Sequence, residues 1–152
     1  MRTLTDTERK RILKRINPIT SKIQKLVKKG KVKTPLDLHD AAKILNLVDL
    51  DVSEESCTGN LFLKCDKRKI VVKSSYLSKS GKRAKNIDQY KVPTTAIKIA
   101  SGDVIFVQPL VSMKKTHDAV KLFEDIPEVY EDVDLHSGNV GWYNRKAVLI
   151  DW

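Results

Sequence analysis

The segment DLHSGNVGWYNRKAVLIDW, residues 134–152, decides how the rest of the chain is interpreted. Its side chains with oxygen acceptors include those of Asp134, Asn139 and Asp151. Mg²⁺ prefers oxygen ligands, and one or two protein groups suffice when phosphates and waters complete its coordination. The apolar run AVLI at 147–150 predicts a buried strand that ends directly before Asp151. The segment therefore predicts a site for magnesium and phosphate beside a short hairpin.

The composition is typical of a globular protein with one modest core or two small lobes. The chain has 152 residues, of which 41% are hydrophobic and 32% are charged. The sequence contains no apolar run near the roughly 20 residues of a membrane-spanning helix, and the N-terminus has no signal-peptide pattern. We therefore expect a cytoplasmic protein without membrane association. Cys57 and Cys65 are expected to be reduced thiols, with a bridge across a hairpin as the alternative.

The positive charge is concentrated at the N-terminal end. Residues 1–33 hold twelve Lys or Arg and two acidic residues, which gives a net charge of +10. Residues 34–152 hold seventeen residues of each sign and are therefore neutral. This asymmetry indicates either an anionic partner, such as nucleic acid or an acidic protein surface, or a solvated helix face. A third alternative is docking on the acidic segment 124–134 of the same chain.

The first third of the sequence predicts helices. The pattern TDTE at 5–8 is a capping box, in which a Thr hydroxyl and a Glu carboxylate each accept from a backbone N–H. The pair Asn-Pro at 17–18 is expected to end this first helix, because Pro lacks the N–H that a helix interior uses. A second helix is expected to end at Gly30, and Thr-Pro at 34–35 is expected to begin a third.

The middle of the sequence predicts an antiparallel sheet of about five strands. Apolar alternation or β-branched composition marks the segments 47–52, 61–65, 70–74, 94–100 and 104–110. A helix at 116–126, a loop and a short hairpin are expected to follow. The predicted fold class is α+β. Three parts are expected: a basic helical segment at 1–46, a small lobe at 47–112 and a final part at 113–152.

The motifs DLHSGN and VLIDW together resemble the catalytic and metal-binding loops of the kinase-like phosphotransferases, most closely the aminoglycoside and choline kinase type. The resemblance implies that Asp134 is the catalytic base, that Asn139 binds metal, and that Asp151 is the principal Mg²⁺ ligand. His136 stands where protein kinases usually have a Lys. It is therefore interpreted either as a contact to the transferred phosphate or as a hydrogen-bonded loop residue.

The upstream strands resemble a kinase-like small lobe. Gly59 lies in SCTGN, between the predicted first and second strands, where the family has a glycine loop. Lys73 lies in IVVKS, which resembles the strand that carries the phosphate-binding Lys. VIFVQPL resembles the fifth strand and hinge, where backbone groups near Gln108 and Leu110 would meet adenine. The resemblance thus implies ATP and Mg²⁺ as cofactors, and a truncated large lobe that ends at the metal-binding Asp.

The sequence also departs from the family pattern. Its glycine loop has one glycine, and Lys73 has no obvious Glu partner. We expect an ATP- and Mg²⁺-dependent phosphotransferase, with a protein as one candidate acceptor. The alternatives are a pseudokinase that binds or inhibits a partner through its basic helices, and a nucleic-acid-binding protein. Compact chains of this kind resemble phage products, which would place the protein in the host cytoplasm.

Overall fold

The computed structural model describes residues 2–41, 45, 50–53, 62–65, 67–76 and 85–150. The helices in these residues are α1 (Asp6–Lys28), α2 (Pro35–Ala41), α3 (Thr116–Glu124) and α4 (Pro127–Asp132). The strands are β1 (Leu50–Ser53), β2 (Phe62–Cys65), β3 (Ile70–Tyr76), β4 (Thr95–Lys98), β5 (Asp103–Pro109), β6 (Val140–Tyr143) and β7 (Lys146–Leu149). A 3₁₀ helix spans Lys85–Tyr90. The predicted α+β class with a small antiparallel sheet is confirmed.

The chain forms two compact units, and each unit combines segments that are far apart in sequence. The hairpin unit consists of residues 1–10, 80–92 and 111–152. The sheet unit consists of residues 11–79 and 93–110. Most of the basic helix therefore shares a unit with the sheet, although the sequence analysis placed it in a segment of its own. The helices among the described residues include none that is long and apolar enough to cross a membrane.

The sheet unit is built on five antiparallel strands in the order β1-β2-β3-β5-β4. The central strand β3 places Lys73 opposite Phe62 of β2 and opposite Phe106 of β5. Apolar side chains from these strands and from α1 form one buried cluster, whose members include Ile16, Ile19, Ile23, Leu63, Ile70, Val72, Ile105 and Val107. The sheet is therefore covered on one face by the helix. Cys65 is a buried free thiol, and Cys57 lies outside the described residues.

Helix α1 is continuous through Pro18, so the predicted break at 17–18 is wrong. Pro18 is exposed and costs about 3 kcal/mol in a helix interior, since its ring removes one hydrogen bond. The buried side chains continue at helical spacing on both sides of it, and each contributes about 1.5–3 kcal/mol when fully buried. These residues are Ile12, Ile16, Ile19, Ile23 and Leu26. Packing of this apolar face therefore outweighs the local cost of the proline.

The helix ends follow the predicted capping chemistry. Gly30 has a φ of +74°, and its N–H donates to the Val27 carbonyl at 3.0 Å. The N–H of the next residue, Lys31, donates to the Leu26 carbonyl at 3.0 Å, which completes the C-terminal cap. At the start of α2, the pKa of Asp37 is lowered because the backbone N–H groups of Lys33 and Thr34 donate to its carboxylate.

The hairpin unit packs β6 and β7 against α3 and α4. Its buried cluster includes Ile87, Ala119, Phe123, Val129, Val133, Val140, Ala147 and Leu149. The predicted pairing of the last strand near Val140 is confirmed by the register of Val140 with Leu149. Helix α4 was expected to be a loop. Pro127 in its first turn was the available signal, because a proline there supplies a helical φ and needs no hydrogen-bond partner.

Candidate functional site

The loop 134–139 follows directly from the end of α4. The N–H of Val133 donates to the Val129 carbonyl at 2.9 Å, and the Val133 side chain is buried, which fixes where the loop begins. Asp134 is exposed. Asn139 is only 8% exposed; its side-chain amide donates to the Asp134 carbonyl, and its backbone N–H donates to the His136 carbonyl at 3.0 Å. Asn139 therefore closes the loop from both its side chain and its backbone.

The same loop is tied to the end of the β6–β7 hairpin. The N–H of Ile150 donates to the Asn139 carbonyl at 2.9 Å, one step beyond the pairing of Val140 with Leu149. The ladder of the hairpin thus extends to the two residues that flank it. Asp151 follows Ile150 in the sequence and lies outside the described residues. The part of the chain that the structure describes contains no group of three His, Cys, Asp or Glu placed to hold a metal ion.

His136 is exposed, and its ring is oriented by its own loop. Its Nδ1 accepts the N–H of Gly138 at 3.0 Å. In a neutral imidazole one ring nitrogen accepts and the other carries the proton, so this bond assigns the proton to Nε2. His136 can therefore present an N–H to an anionic oxygen while its other nitrogen is held by the backbone.

Gly138 is a residue that the sequence analysis did not single out. A Cβ at this position would lie 2.9 Å from Cε1 and 3.0 Å from Nδ1 of His136, closer than real Cβ contacts. The imidazole therefore lies over the glycine and keeps this orientation only because no side chain is present. The glycine within DLHSGN was the signal that could have identified it.

Lys73 lies at the centre of the sheet unit. Its neighbours Val72 and Ser74 are buried, whereas Lys73 is half-buried. Because successive side chains of a strand point to opposite faces, Lys73 projects from the face opposite to the one that Val72 buries against α1. The position of Lys73 on the third strand is as predicted. The predicted phosphate contact at Gly59 lies outside the described residues.

The predicted adenine contacts lie at the end of β5. Gln108 is 3% exposed, and its side-chain amide donates to the Thr94 hydroxyl at 3.1 Å. The Leu110 N–H donates to the Lys69 carbonyl at 2.7 Å. The Gln108 side chain and the Leu110 N–H therefore have partners within the sheet unit. An additional ligand at Leu110 would be bound through its carbonyl.

The far end of the β6–β7 hairpin is anchored by an ion pair with Glu8. Lys146 Nζ lies 2.5 Å from Glu8 Oε1, and the two side chains are 14% and 13% exposed. Asn144 Nδ2 donates to the other carboxylate oxygen at 3.1 Å, and Thr5 N–H donates at 3.0 Å in the predicted capping box. Chiefly because of the bond from Lys146, the pKa of Glu8 is lowered to about 2. The hairpin that carries Asn139 at one end is thus fixed at the other.

The predicted site residues fall into both compact units. The structure brings Asp134, His136 and Asn139 together in one hydrogen-bonded loop of the hairpin unit. Lys73, Gln108 and Leu110 are in the sheet unit.

Comparison with protein-family models, with curated proteins and with solved structures finds no match to this chain.

Proposed function

We propose that the chain is an ATP- and Mg²⁺-dependent phosphotransferase of kinase-like fold. One observation carries the proposal: Asn139 closes the loop that begins at Asp134 and also pairs with Ile150, the residue that precedes Asp151. A single hydrogen-bonded arrangement thus connects the loop that carries the proposed base and one proposed metal ligand with the residue that precedes the other. Preorganised groups of this kind are what phosphoryl transfer requires of a protein, since positioning and electrostatics supply most of its catalysis.

The residues fit Mg²⁺ by their chemistry. We assign the ion to the amide oxygen of Asn139 and to the carboxylate of Asp151. Two oxygen ligands are enough for Mg²⁺ when the phosphates of ATP and water complete the coordination. The amide nitrogen of Asn139 donates to the Asp134 carbonyl, so the amide oxygen is the atom of this side chain proposed to bind the cation. When bound, Mg²⁺ supplies charge neutralisation to the phosphates.

The chemical step uses the exposed side chains of the loop. The Asp134 carboxylate accepts the proton of the acceptor hydroxyl as the acceptor oxygen forms a bond to the γ-phosphorus of ATP. The bond from that phosphorus to the bridging oxygen breaks, and ADP leaves with the electron pair. The Nε2–H of His136 donates to an oxygen of the moving phosphoryl group. Exposure of Asp134 supports this role, because an acceptor as large as a protein needs an open approach.

The nucleotide contacts are assigned to the sheet unit. Lys73 is proposed to contact the α- and β-phosphates from β3, as a cation would in this family. Adenine is assigned to the backbone near Gln108 and Leu110. Because the Leu110 N–H donates to Lys69, the exocyclic amine of adenine is proposed to donate to the Leu110 carbonyl.

A transfer assay tests this function. The chain is incubated with Mg²⁺ and ATP labelled at the γ-phosphate, and both protein-bound label and released ADP are measured. We expect slow autophosphorylation or hydrolysis that is lost in Asp134→Asn. The matched control is Glu131→Gln, which removes an exposed acid from the end of α4 and should retain the activity.

The outcomes separate the candidate functions. Equal activity in Asp134→Asn and the parent would exclude Asp134 as the base. Binding of ATP and Mg²⁺ without any transfer, also in the presence of host extract, would favour the pseudokinase, in which the same groups hold the nucleotide but no acceptor is used.

A further inference from the structure

Five basic side chains of α1 and that of Lys29, directly after it, form an exposed band, which we call the basic stripe. Its members are Arg11, Lys14, Arg15, Lys22, Lys25 and Lys29. Separations of three, four and seven residues place them on one side of a helix with 3.6 residues per turn. Lys29 continues that geometry beyond α1, since its N–H donates to the Lys25 carbonyl at 3.1 Å. The apolar side chains of the helix are buried on another side.

The basic stripe has no neutralising partner within the described part of the chain. The sequence contains no Asp or Glu between Glu8 and Asp37. None of the six stripe residues forms an ion pair or a side-chain hydrogen bond with a described residue, and all six are exposed. Among the described residues the stripe therefore has no counter-charge, and its exposed cations are accessible to an external anion.

The composition of the stripe identifies the class of anion. The large hydrophobic side chains that are exposed in the described residues are Leu36, Met113, Leu122 and Tyr130, and none of them is in α1. A protein interface needs an apolar or aromatic centre, and a single-stranded nucleic acid is normally held by aromatic stacking. The stripe offers neither of these. The stripe consists of cationic side chains, and the exposed Ser21 hydroxyl lies beside them on the helix. Charge without apolar anchors matches a phosphate backbone.

The dimensions of the stripe favour a duplex. From Arg11 to Lys29 a helix rises roughly 27 Å, and the helix fixes the spacing of the backbone positions that carry the cations. A DNA duplex carries one charge per about 1.7 Å of axis in a regular array, and its major groove is about 12 Å wide, enough to admit a helix. We propose that the basic stripe binds the phosphates of double-stranded DNA without reading its sequence. The stripe contains none of the residues assigned to phosphoryl transfer.

Fluorescence anisotropy with a labelled duplex of about 20 base pairs tests the proposal over a series of salt concentrations, because phosphate contacts are weakened by salt. The full chain is compared with a stripe variant that carries Arg11→Gln, Arg15→Gln, Lys22→Gln and Lys25→Gln. Gln is as good a helix former as Lys or Arg, so α1 should remain folded, which circular dichroism checks. A control variant loses the same charge elsewhere, through Arg68→Gln, Lys98→Gln, Lys114→Gln and Lys121→Gln.

We expect the affinity of the parent to fall linearly with salt on a double-logarithmic plot. Each lost phosphate contact reduces the slope by about 0.9, so the stripe variant should lose about 3 to 4 units of slope and bind at least about tenfold more weakly at 0.1 M salt. The control variant should retain most of the slope. Two sequences of equal length should bind alike, and unlabelled polyglutamate should compete poorly.

Several results would overturn the proposal. They are absence of duplex binding by the parent, an equal loss in the control variant, and equal or tighter binding of single-stranded DNA. Competition by polyglutamate at the same charge concentration as DNA would instead assign the stripe to an acidic protein. Because none of these measurements uses ATP, a failure here leaves the proposed phosphotransferase unaffected.

Discussion

The two ends of helix α1 use charge in opposite ways. At the N-terminal end, the Glu8 carboxylate has bonds from Lys146, Asn144 and the Thr5 N–H, and its pKa is lowered to about 2. From Arg11 onward, the basic stripe is exposed and makes no such bond with a described residue. Charge with a partner inside the protein stabilises the fold, whereas charge without one is available for binding. The two ends should therefore respond differently to mutation.

The largest expected effect on stability is that of Glu8→Ala. The substitution removes half of a capping box and leaves Lys146, which is 14% exposed, without its carboxylate. Loss of a helix cap costs about 1 kcal/mol, and loss of a partly buried ion pair with its hydrogen bonds adds about as much or more. We expect the free energy of unfolding, measured in urea, to fall by about 2–3 kcal/mol. Asp6→Ala, an exposed acid in the same turn, should change it by less than about 0.5 kcal/mol. Equal effects in the two variants would show that the bonds to the Glu8 carboxylate do not stabilise the fold.

Lowering the pH should remove the contribution of Glu8 to the free energy of unfolding over a defined pH range. A carboxyl group whose folded-state pKa is lowered stabilises the protein above its unfolded pKa, here 4.5, and loses that contribution as the pH falls towards about 2. The difference in unfolding free energy between the parent and Glu8→Gln should therefore be constant above about pH 5 and should shrink between 4.5 and 2. A difference that does not change with pH over this range would show that Glu8 acts as a neutral cap only.

Asn139→Ala should have an intermediate effect. Like Glu8, Asn139 has a hydrogen-bond partner inside the protein, and it is also buried. Removing its side-chain amide leaves the Asp134 carbonyl without the hydrogen bond from Asn139. We expect a loss of about 1–2 kcal/mol in the free energy of unfolding. Asn144→Gly, in the exposed turn of the same hairpin, loses a bond at a more solvated position, keeps the positive φ of that residue accessible, and should cost less. If Asn139→Ala is neutral, the loop is not held in the way that the hydrogen bonds indicate.

A small effect on stability is expected for the stripe variant, although it replaces four cations by Gln. Removing exposed charges should change the free energy of unfolding by less than about 1 kcal/mol. Because these like charges repel each other, any change should be an increase. Thermal unfolding at low and at moderate salt measures it. A loss of several kcal/mol would mean that the stripe is part of the fold and would contradict the comparison with Glu8.

Much of the fold could be predicted from local patterns. Capping at Thr5 and Glu8, the cap at Gly30 and the final hairpin depend on residues close in sequence, so their signals are complete within a few positions. The continuity of α1 through Pro18 could not be predicted in this way. It depends on the sheet that the apolar face packs against, and the strands of that sheet lie more than thirty residues further along the chain.

The candidate site shows the same division. The motif DLHSGN predicted that Asp134, His136 and Asn139 are site residues, and these three residues lie in one hydrogen-bonded loop. Two contacts could not be predicted: the hydrogen bond from the Leu110 N–H to the Lys69 carbonyl and the ion pair of Glu8 with Lys146. Each joins segments that are distant in sequence and are brought together only by the fold. The role of Gly138 was present in the motif, but it is steric and becomes clear only with the position of the His136 ring.

A calorimetric titration with ATP, with and without Mg²⁺, tests the proposed phosphotransferase most directly. Parent, Asp151→Asn and the control Asp118→Asn, an exposed acid on α3, are compared at the same pH and salt concentration. The proposed metal role predicts Mg²⁺-dependent ATP binding by the parent and by Asp118→Asn, and its loss in Asp151→Asn with an unchanged melting temperature. Equal ATP affinity in Asp151→Asn and the parent would contradict the assignment of the metal site, and with it the phosphotransferase.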